Sequence, residues 1–376
     1  MAKRKKSAPT ASPHFLVVGA GLSGAVIARR LAEKYRQPVL VIDQRPQIGG
    51  NCYDRRIANI TVHRFGAHIF HTNNQTVWNF LSHFTHWQPY EHQVQARVAG
   101  KLVPLPFNFG TLTALFPPGL ASELEKQLLA EFSFGRKISI LELQQSLLPP
   151  LQQLGQYVYE HIFAYYSRKQ WGGDIALLNP EVLSRVPITL DRDLRYFRDR
   201  YQGIPAQGYT AMITNLLDHP FIEVKLKTTY AQISKKISPQ KTFYTGSIDE
   251  FFDYKLGTLQ YRSCRFVDEL KRQAQFQPVA VVNYPETQDF TRIIEHKHFL
   301  NEHTPHTLIT YEYPEAFKLG RNERFYPLND QDNNDLFARY QKLARQQPDV
   351  VFFGRLGDYR YYDMDQVIAR ALEIKI

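Results

Sequence analysis

The chain has 376 residues, 43% of them hydrophobic, and carries a formal net charge of +10 at pH 7. This length allows a buried core and two or three domains. No apolar run is long enough to span a membrane, and the first 14 residues lack the apolar segment of a signal peptide. We therefore expect a cytoplasmic protein. Residues 3–6 supply four of the positive charges in a stretch that we expect to be a disordered basic tail over residues 1–13, and the remaining excess favours an anionic ligand over nucleic acid. Cys52 and Cys264 lack metal-ligand spacing, so we expect no metal site and two small buried side chains.

The first element is an apolar run that ends in a glycine-rich turn. Phe15–Val18 is typical of a buried parallel strand, and residues 25–32 have helical spacing. Gly19 allows a tight turn, Gly21 lets the backbone approach a pyrophosphate, and Gly24 lets the helix pack on the strand. The free N–H groups at the start of that helix favour phosphate binding, so the pattern predicts a dinucleotide site.

A second apolar strand, Val39–Ile42, ends at Asp43, where a carboxylate is positioned to bond a ribose hydroxyl. Another glycine pair follows, with Gly50 directly before Asn51. This second pair resembles the extended signature of FAD enzymes rather than that of NAD dehydrogenases. FAD is therefore the predicted dinucleotide.

The middle of the chain predicts a hairpin and then helices. Residues 94–98 alternate between apolar and polar and reach residues 102–103 through a turn containing Gly100. The clearest helix has an apolar face formed by Leu151, Leu154, Val158, Ile162 and Tyr165. We interpret Gly172-Gly173 as a hinge and residues 174–187 as a mobile loop.

Strands dominate the rest of the chain. Residues 221–226 and 241–245 are expected to return to the nucleotide-binding sheet. Strands of an antiparallel sheet are predicted at residues 279–283, 291–294 and 307–313. A buried strand at residues 350–353 and a helix at residues 364–372 are expected to complete the nucleotide-binding domain.

The predicted fold is α/β, with a discontinuous Rossmann-like FAD-binding domain, a helical domain and an antiparallel β-sheet domain. We assign residues 14–72, 206–256 and 348–376 to the FAD-binding domain. The helical domain is assigned to residues 105–173. The antiparallel sheet, as the substrate domain, is assigned to residues 73–104, 174–205 and 257–347.

Several sequence blocks resemble bacterial UDP-galactopyranose mutases and occur in the order found in that family. The blocks are Gly66–Thr72, Lys169–Gly172, Tyr201–Pro205, Tyr244–Gly246, Arg292–Lys297 and Tyr361–Met364. The resemblance covers the chain after its tail and implies an isomerase, an intramolecular transferase, that interconverts UDP-galactopyranose and UDP-galactofuranose. It further implies that FAD is active when reduced, its N5 nitrogen acting as a covalent nucleophile with no net redox change.

The same resemblance assigns residues to the substrate. Arg185 and Arg292 match diphosphate-binding arginines, which we expect to be catalytic because breaking the anomeric bond leaves negative charge on the diphosphate. Tyr166 matches a tyrosine that stacks on uracil, and Trp171 matches a tryptophan beside the substrate. The tyrosines that match positions near the diphosphate or the flavin are Tyr196, Tyr326 and Tyr361.

Residues are assigned to the cofactor in the same way. Arg355 matches an arginine on the pyrophosphate side, and the helix beginning near Met364 is expected to point its amino-terminus at the flavin, where the helix dipole favours the anionic reduced form. His68 and His71 lie in a block beside the flavin, and we assign proton handling to His71. The residues expected to bind FAD are Gly19, Gly21, Gly24, Asp43, Gly50, Asn51, His68, Thr245, Gly246, Arg355, Asp363 and Met364.

Two other interpretations share the glycine signature: a flavin oxidoreductase of the amine-oxidase or desaturase type, and a flavin-binding protein without catalysis. The paired arginines and the tyrosine cluster favour the mutase, because an oxidase of apolar substrates does not need them. The family implies a homodimer and a role in cell-surface polysaccharide biosynthesis, while the reductant of FAD is not identified. The basic tail is additional to the family pattern, and His92 and Ile162 depart from it near the nucleotide base.

Overall fold

A computed structural model describes residues 13–172 and 186–376 of the chain. Its strands are β1 Phe15–Val18, β2 Val39–Ile42, β3 Asp54–Ile57, β4 Ile60–His63, β5 Phe70–Thr72, β6 Trp87–Pro89, β7 Val94–Val98, β8 Lys101–Leu105, β9 Lys137–Ile138, β10 Ile188–Thr189, β11 Tyr201–Pro205, β12 Ile222–Lys225, β13 Lys241–Tyr244, β14 Tyr261–Lys271, β15 Val281–Asn283, β16 Arg292–Glu295, β17 Thr307–Ala316, β18 Tyr326–Pro327 and β19 Val350–Phe352. Its α-helices are α1 Leu22–Tyr35, α2 Gln75–Ser82, α3 Phe109–Leu115, α4 Pro118–Phe132, α5 Ile140–Gln144, α6 Pro149–Val158, α7 Tyr165–Trp171, α8 Tyr209–Leu217, α9 Tyr230–Ile233, α10 Ile248–Phe251, α11 Gln331–Ala344, α12 Gly354–Gly357 and α13 Met364–Glu373. Short 3-10 helices lie at Gly50–Cys52 and His296–His298, and a π-helix lies at Tyr159–Ala164.

A five-stranded parallel sheet in the order β12-β2-β1-β13-β19 follows from the apolar runs at both ends of the chain. β1 pairs with β2 on one side and with β13 on the other, and β12 and β19 form the edges. The predicted return of two strands to this sheet is therefore confirmed. The predicted buried strand at residues 350–353 is confirmed in its position, but only Phe353 is buried, because β19 is an edge strand and its three residues are half-buried.

A second large sheet has seven strands in the order β18-β14-β17-β16-β15-β7-β8. The predicted hairpin is confirmed, since β7 and β8 pair antiparallel across Ala99 and Gly100. The three later predicted strands are also present, and β15 pairs antiparallel with β16 but parallel with β7. This one parallel pair makes the sheet mixed, because a strand from early in the chain joins strands from near its end.

The long helical segment from α6 to α7 is interrupted by a π-turn. Four of the five residues predicted for its apolar face are buried, namely Leu151, Leu154, Val158 and Ile162, but Tyr165 is 47% exposed. The prediction for Tyr165 was wrong because the π-helix adds a residue to the turn and shifts the buried series to Phe163, Ser167 and Gln170. The shift leaves Tyr165 exposed and the next residue, Tyr166, partly buried.

Both cysteines are free and buried, as predicted. Across the described ranges, no helix has the length and apolar character that crossing a membrane requires. The predicted basic tail lies outside the described residues, except for its last position.

Asp54 ties the start of β3 to helix α8, which is 155 residues further along the chain. Its buried carboxylate accepts hydrogen bonds from the backbone N–H groups of Tyr209 and Thr210. Gly208 permits this approach, since it has a φ of +87° and a Cβ added there would lie 2.6 Å from a carboxylate oxygen. The carboxylate therefore serves as the amino-terminal cap that α8 lacks in its own sequence.

Replacing Asp54 tests this cap. Asp54→Ala leaves two buried N–H groups without an acceptor, so we expect the free energy of unfolding to fall by about 2–4 kcal/mol, measured by urea denaturation. Asp54→Asn keeps one acceptor oxygen and is expected to lose less. Equal unfolding midpoints for all three proteins would contradict the assignment.

Candidate active site

The glycine-rich turn follows β1 and packs against the residue that follows β13. Gly19 has a φ of +107°, and a Cβ added there would lie 2.0 Å from the hydroxyl oxygen of Thr245. A Cβ added at Gly24 would lie 1.8 Å from the carbonyl oxygen of Gly19. Neither Gly19 nor Gly24 therefore has room for a Cβ, and α1 begins at Leu22. Thr245 in turn donates its hydroxyl to the carbonyl of Val18 at 2.7 Å.

The second glycine pair lies against the first turn. Gly49 donates its N–H to the carbonyl of Ala20 at 2.9 Å, and a Cβ added at Gly21 would lie 3.5 Å from the Cα of Gly50. Two glycine segments of the backbone thus face each other near the carboxyl end of β1, the central strand of the parallel sheet. This bare backbone is the surface that a pyrophosphate group needs for close approach.

Asp43 and Asn51 lie beside these glycines and already have protein partners. The two carboxylate oxygens of Asp43 accept the backbone N–H groups of Ala20 and Arg45, each at 2.8 Å. The side-chain oxygen of Asn51 accepts both terminal N–H groups of Arg45 at 3.1 Å. These bonds hold the Asp43 carboxylate in place, and its oxygens retain lone pairs for a ribose hydroxyl.

Helix α13 begins next to the same glycine segment. The sulfur of Met364 lies 3.6 Å from that of Cys52, and Asp363 donates its N–H to the side chain of Gln366 at 3.0 Å, as in a capping box. The predicted helix is confirmed, and burial raises the pKa of the Cys52 thiol to about 12, so the thiol is neutral. Gly246 directly follows Thr245 in the chain, and a Cβ added there would lie 2.9 Å from the ring of Tyr244.

Arg355 connects the cofactor side to the aromatic cluster. Its guanidinium donates to the carbonyl of Tyr362 at 2.7 Å and lies 5.2 Å from the ring centre of Tyr361 and 5.8 Å from that of Tyr326. Among the described residues, no carboxylate forms an ion pair with Arg355. An arginine held by carbonyls and ring faces keeps its charge available for an anion.

Arg292 lies in the mixed sheet with a carboxylate directly opposite. It pairs in register with Glu312 between β16 and β17, and its guanidinium donates to that carboxylate at 2.9 Å. The Glu312 side chain is 2% exposed and that of Arg292 is 24% exposed. Burial opposes the charge of Arg292, but Glu312 and nearby phenols raise the net pKa of its guanidinium well above the ordinary value. Its Nε is buried and has no hydrogen-bond partner within the described residues, which leaves a donor for an anionic ligand.

The predicted tyrosines gather around Arg292. Tyr326 stacks on Tyr361 at 5.4 Å between ring centres, and Trp171 lies 6.1 Å from Tyr326. Tyr166 interacts electrostatically with Arg292 and Tyr196. Burial raises the pKa of Tyr166 and of Tyr326 well above the ordinary value, so both phenols stay protonated and act as neutral donors.

His68 and His71 have different surroundings. His68 binds the carbonyl of Gly66 through Nδ1 at 2.8 Å, so Nδ1 carries the proton, and burial lowers its pKa to about 4, with Arg355 and Arg292 adding to the effect. His71 binds Asp199 through Nδ1 at 2.6 Å and stacks on Phe197 at 3.6 Å. The structure therefore brings His68 into the electrostatic field of both arginines and pairs His71 with the Asp199 carboxylate.

Arg185, Gly173 and most of the predicted mobile loop lie outside the described residues. The described chain ends before them at Gly172, directly after Trp171. Their roles, like those of the other site residues, remain predictions.

Comparison with known proteins identifies the family. A family model described as UDP-galactopyranose mutase matches residues 161–361, and one described as an NAD(P)-binding Rossmann-like domain matches residues 17–84. The first match covers more than half of the chain. The chain belongs to the UDP-galactopyranose mutase family. The resemblance in the sequence is thus confirmed, and the chain is an isomerase of this family.

Curated relatives extend the match over nearly the whole chain. A UDP-galactopyranose mutase of Mycoplasma pneumoniae is 37% identical and covers 95% of this chain and 94% of its own. A probable UDP-galactopyranose mutase of Klebsiella pneumoniae is 37% identical, covering 96% and 93%. A dTDP-fucopyranose mutase of Escherichia coli is 36% identical, covering 95% and 96%. Relatives of similar identity therefore carry the names of two nucleotide sugars.

Solved structures agree on the fold. The structure of a reduced UDP-galactopyranose mutase has a TM-score of 0.71 at 16% identity and covers 96% of this chain and 93% of its own. A putative protoporphyrinogen oxidase from Exiguobacterium gives 0.63 at 13% identity, with 96% and 98% covered. The predicted α/β fold with a Rossmann-like domain is confirmed, and the second sheet is antiparallel as predicted except for the parallel pair of β7 and β15.

Sequence reasoning missed the partners that hold the site residues. Glu312 faces Arg292, Asp199 binds His71, and Lys169 binds a segment before Arg292. Thr310, Glu312 and Pro314 are alternate residues of one strand, so their side chains lie on the same face of the sheet. This spacing was only a weak indication that the Glu312 carboxylate faces inward. No local pattern identifies Asp199, because it is 128 residues from its partner.

Buried neutral histidines predict a loss of stability in acid. Burial lowers the pKa of His92 to about 3 and that of His68 to about 4, below the ordinary value of 6.5. The unfolded chain takes up these protons below pH 6.5 while the folded chain does not, so the free energy of unfolding falls between pH 6.5 and pH 4, by about 1–2 kcal/mol per histidine at pH 5. Urea unfolding at pH 7.5 and pH 5 measures this loss.

We expect His92→Gln to show a smaller loss of stability on acidification than the parent chain, because a side chain that does not titrate replaces the histidine. His86→Gln, at an exposed position, is the control and should keep the parent's loss. The same loss in His92→Gln as in the parent would contradict the assignment.

Proposed function

We propose that the chain is a UDP-galactopyranose mutase that reversibly contracts UDP-galactopyranose to UDP-galactofuranose with bound, reduced FAD. The observation that carries the proposal is the half-buried Arg292, which has an unpaired Nε and lies among phenols next to the cofactor side. Names of two relatives and the glycine cradle support the choice of substrate and of a dinucleotide cofactor. A homodimer and a role in cell-surface polysaccharide belong to the same proposal.

When bound and reduced, FAD supplies its N5 nitrogen as the nucleophile for the anomeric carbon, with no net oxidation or reduction. The glycine segments at Gly21 and Gly50 would hold its pyrophosphate, and Asp43 would bind its ribose. Arg355 and the amino-terminus of α13 place positive charge on the same side, which stabilises an anionic reduced flavin.

We assign binding of the anionic end of the substrate to Arg292 and the tyrosines. Cleavage of the anomeric bond leaves negative charge on UDP, and the Arg292 guanidinium, held by Glu312, stabilises that charge without having to reorganise. Tyr326 and Tyr361 would donate hydrogen bonds from their hydroxyl groups to phosphate oxygens. We assign the second cation to Arg185.

The nucleotide base is assigned to the end of the site formed by the helix α7. Tyr166 would stack on uracil, and Trp171 would line the substrate next to Tyr326. Proton handling is assigned to His71, where Asp199 accepts from Nδ1 and so leaves Nε2 free to accept a proton.

One assay tests the reaction. The purified protein loaded with FAD is incubated with UDP-galactofuranose, with and without dithionite, and the products are separated by chromatography. We expect UDP-galactopyranose only after reduction, without oxygen consumption. Oxygen uptake with turnover would instead indicate a flavin oxidoreductase, and conversion of a dTDP-6-deoxy-sugar in preference to the UDP-sugar would reassign the substrate.

Removing either arginine tests the diphosphate site. Each charge-assisted contact contributes about 1.5–3 kcal/mol, so Arg292→Ala and Arg185→Ala should each weaken UDP binding about 10- to 150-fold and cripple turnover, with flavin content near normal. Titration calorimetry with UDP measures the change. The exposed Arg272→Ala is the control and should bind UDP as the parent does. Unchanged UDP affinity in Arg292→Ala would reject the assignment of the diphosphate to this site.

A further inference from the structure

The side chain of Lys169 ends in a ring of backbone carbonyls. Its ammonium donates to the carbonyl oxygens of Glu286, Gln288 and Phe290 at 3.0–3.1 Å, and to that of Tyr284 in a closer contact. We call these four groups the carbonyl ring. They come from every second residue of the segment that joins β15 to β16, so a single cation holds the whole segment.

This segment leads directly to Arg292. Tyr284 donates its N–H to the carbonyl of Thr291 at 2.8 Å, which closes the segment, and Thr291 donates its N–H to the carbonyl of Glu312 at 2.9 Å. Thr291 is fully buried and precedes Arg292 in the chain. The carbonyl ring is therefore connected by backbone bonds to both members of the Arg292–Glu312 pair.

Lys169 itself belongs to α7, the helix that carries Tyr166 and Trp171. The carboxyl end of this helix is held from the opposite side, because Arg262 donates to the carbonyls of Gln170 at 2.9 Å and Lys169 at 3.0 Å. Arg262 is paired in register with Tyr326 between β14 and β18. Two cations thus connect α7 to the strands that bear Arg292 and Tyr326.

We propose that Lys169 is a positioning residue for the anion site: its ammonium, bound in the carbonyl ring, fixes α7 against the 284–290 segment and so sets Arg292 opposite Tyr166 and Trp171. Lys169 does not touch the ligand. It acts through the segment that leads into β16.

The chemistry of the carbonyl ring makes this role testable. An ammonium has three N–H donors, and four carbonyl dipoles surround it, so the interaction is that of a compact cation with a ring of oxygens. Such a ring does not require a covalent connection to its cation. A small alkylammonium ion can therefore replace the side chain once the side chain is shortened.

The experiment uses the FAD-loaded protein and measures UDP binding by titration calorimetry. Lys169→Ala removes the three outer methylenes and the ammonium, and we expect its UDP dissociation constant to rise about tenfold. Propylammonium, which matches the removed atoms, should restore most of that affinity. Tetramethylammonium, which has no N–H donor, should not restore it.

Two further variants separate positioning from folding. Lys169→Met keeps the side chain as far as its ε carbon but lacks the ammonium, so we expect UDP binding as weak as in Lys169→Ala, without rescue by propylammonium. Arg168→Ala removes an exposed cation from the preceding position of the same helix and should bind UDP like the parent. If Lys169→Ala does not fold, Lys169→Met decides the question.

The proposal is overturned if Lys169→Met binds UDP within about twofold of the parent, or if propylammonium fails to improve binding to a folded Lys169→Ala. It is also overturned if tetramethylammonium rescues equally well. The inference rests on the proposed UDP site, and the two fail differently: a parent chain that does not bind UDP contradicts the proposed function, whereas a parent that binds and a Lys169→Met that binds equally contradict only the inference.

Discussion

The ion pair between Arg292 and Glu312 is the interaction on which the candidate site depends. Taking a guanidinium out of water carries a large desolvation cost, which only a close carboxylate and good geometry offset. Glu312 meets that need at 2.9 Å because β16 and β17 pair in the register that sets the two residues opposite each other. The pair fixes the orientation of the guanidinium and still leaves Nε without a partner in the described structure. Sheet register thus determines where this unpartnered donor lies.

The rest of the site lies between the two large sheets of the fold. The parallel sheet presents bare glycine backbone at the carboxyl ends of its central strands, a surface that suits a dinucleotide in many enzymes. The mixed sheet and α7 supply the cation and the phenols. The two sheets meet at Arg355, whose guanidinium lies over the rings of Tyr326 and Tyr361. The likeness to the putative protoporphyrinogen oxidase covers 96% of this chain, so the fold by itself does not distinguish this family from oxidases.

Sequence alone predicted those features whose cause is local. The glycine turn, the hairpin after Val94 and the closing helix at Met364 follow from short patterns and were confirmed. Tyr165 was misplaced because its burial depends on a π-turn, which apolar spacing does not reveal. Glu312 and the carbonyl ring were missed because they depend on register and on contacts more than 100 residues apart, as between Lys169 and Tyr284. Long-range contacts are chosen by the packed whole rather than by neighbouring residues.

Charge balance explains why the described site calls for further cations. Glu312 compensates most of the charge of Arg292, and the buried phenols and the neutral His68 and His92 contribute dipoles rather than charge. A diphosphate brings negative charge that grows when a glycosidic bond to it breaks, and neutral donors alone stabilise this charge only in part. If Arg355 serves the cofactor, as we propose, an additional cation would have to come from another segment. The proposed assignment of the second diphosphate contact to Arg185, which the family resemblance implies, would meet this requirement, since Arg185 follows α7 in the sequence after Trp171.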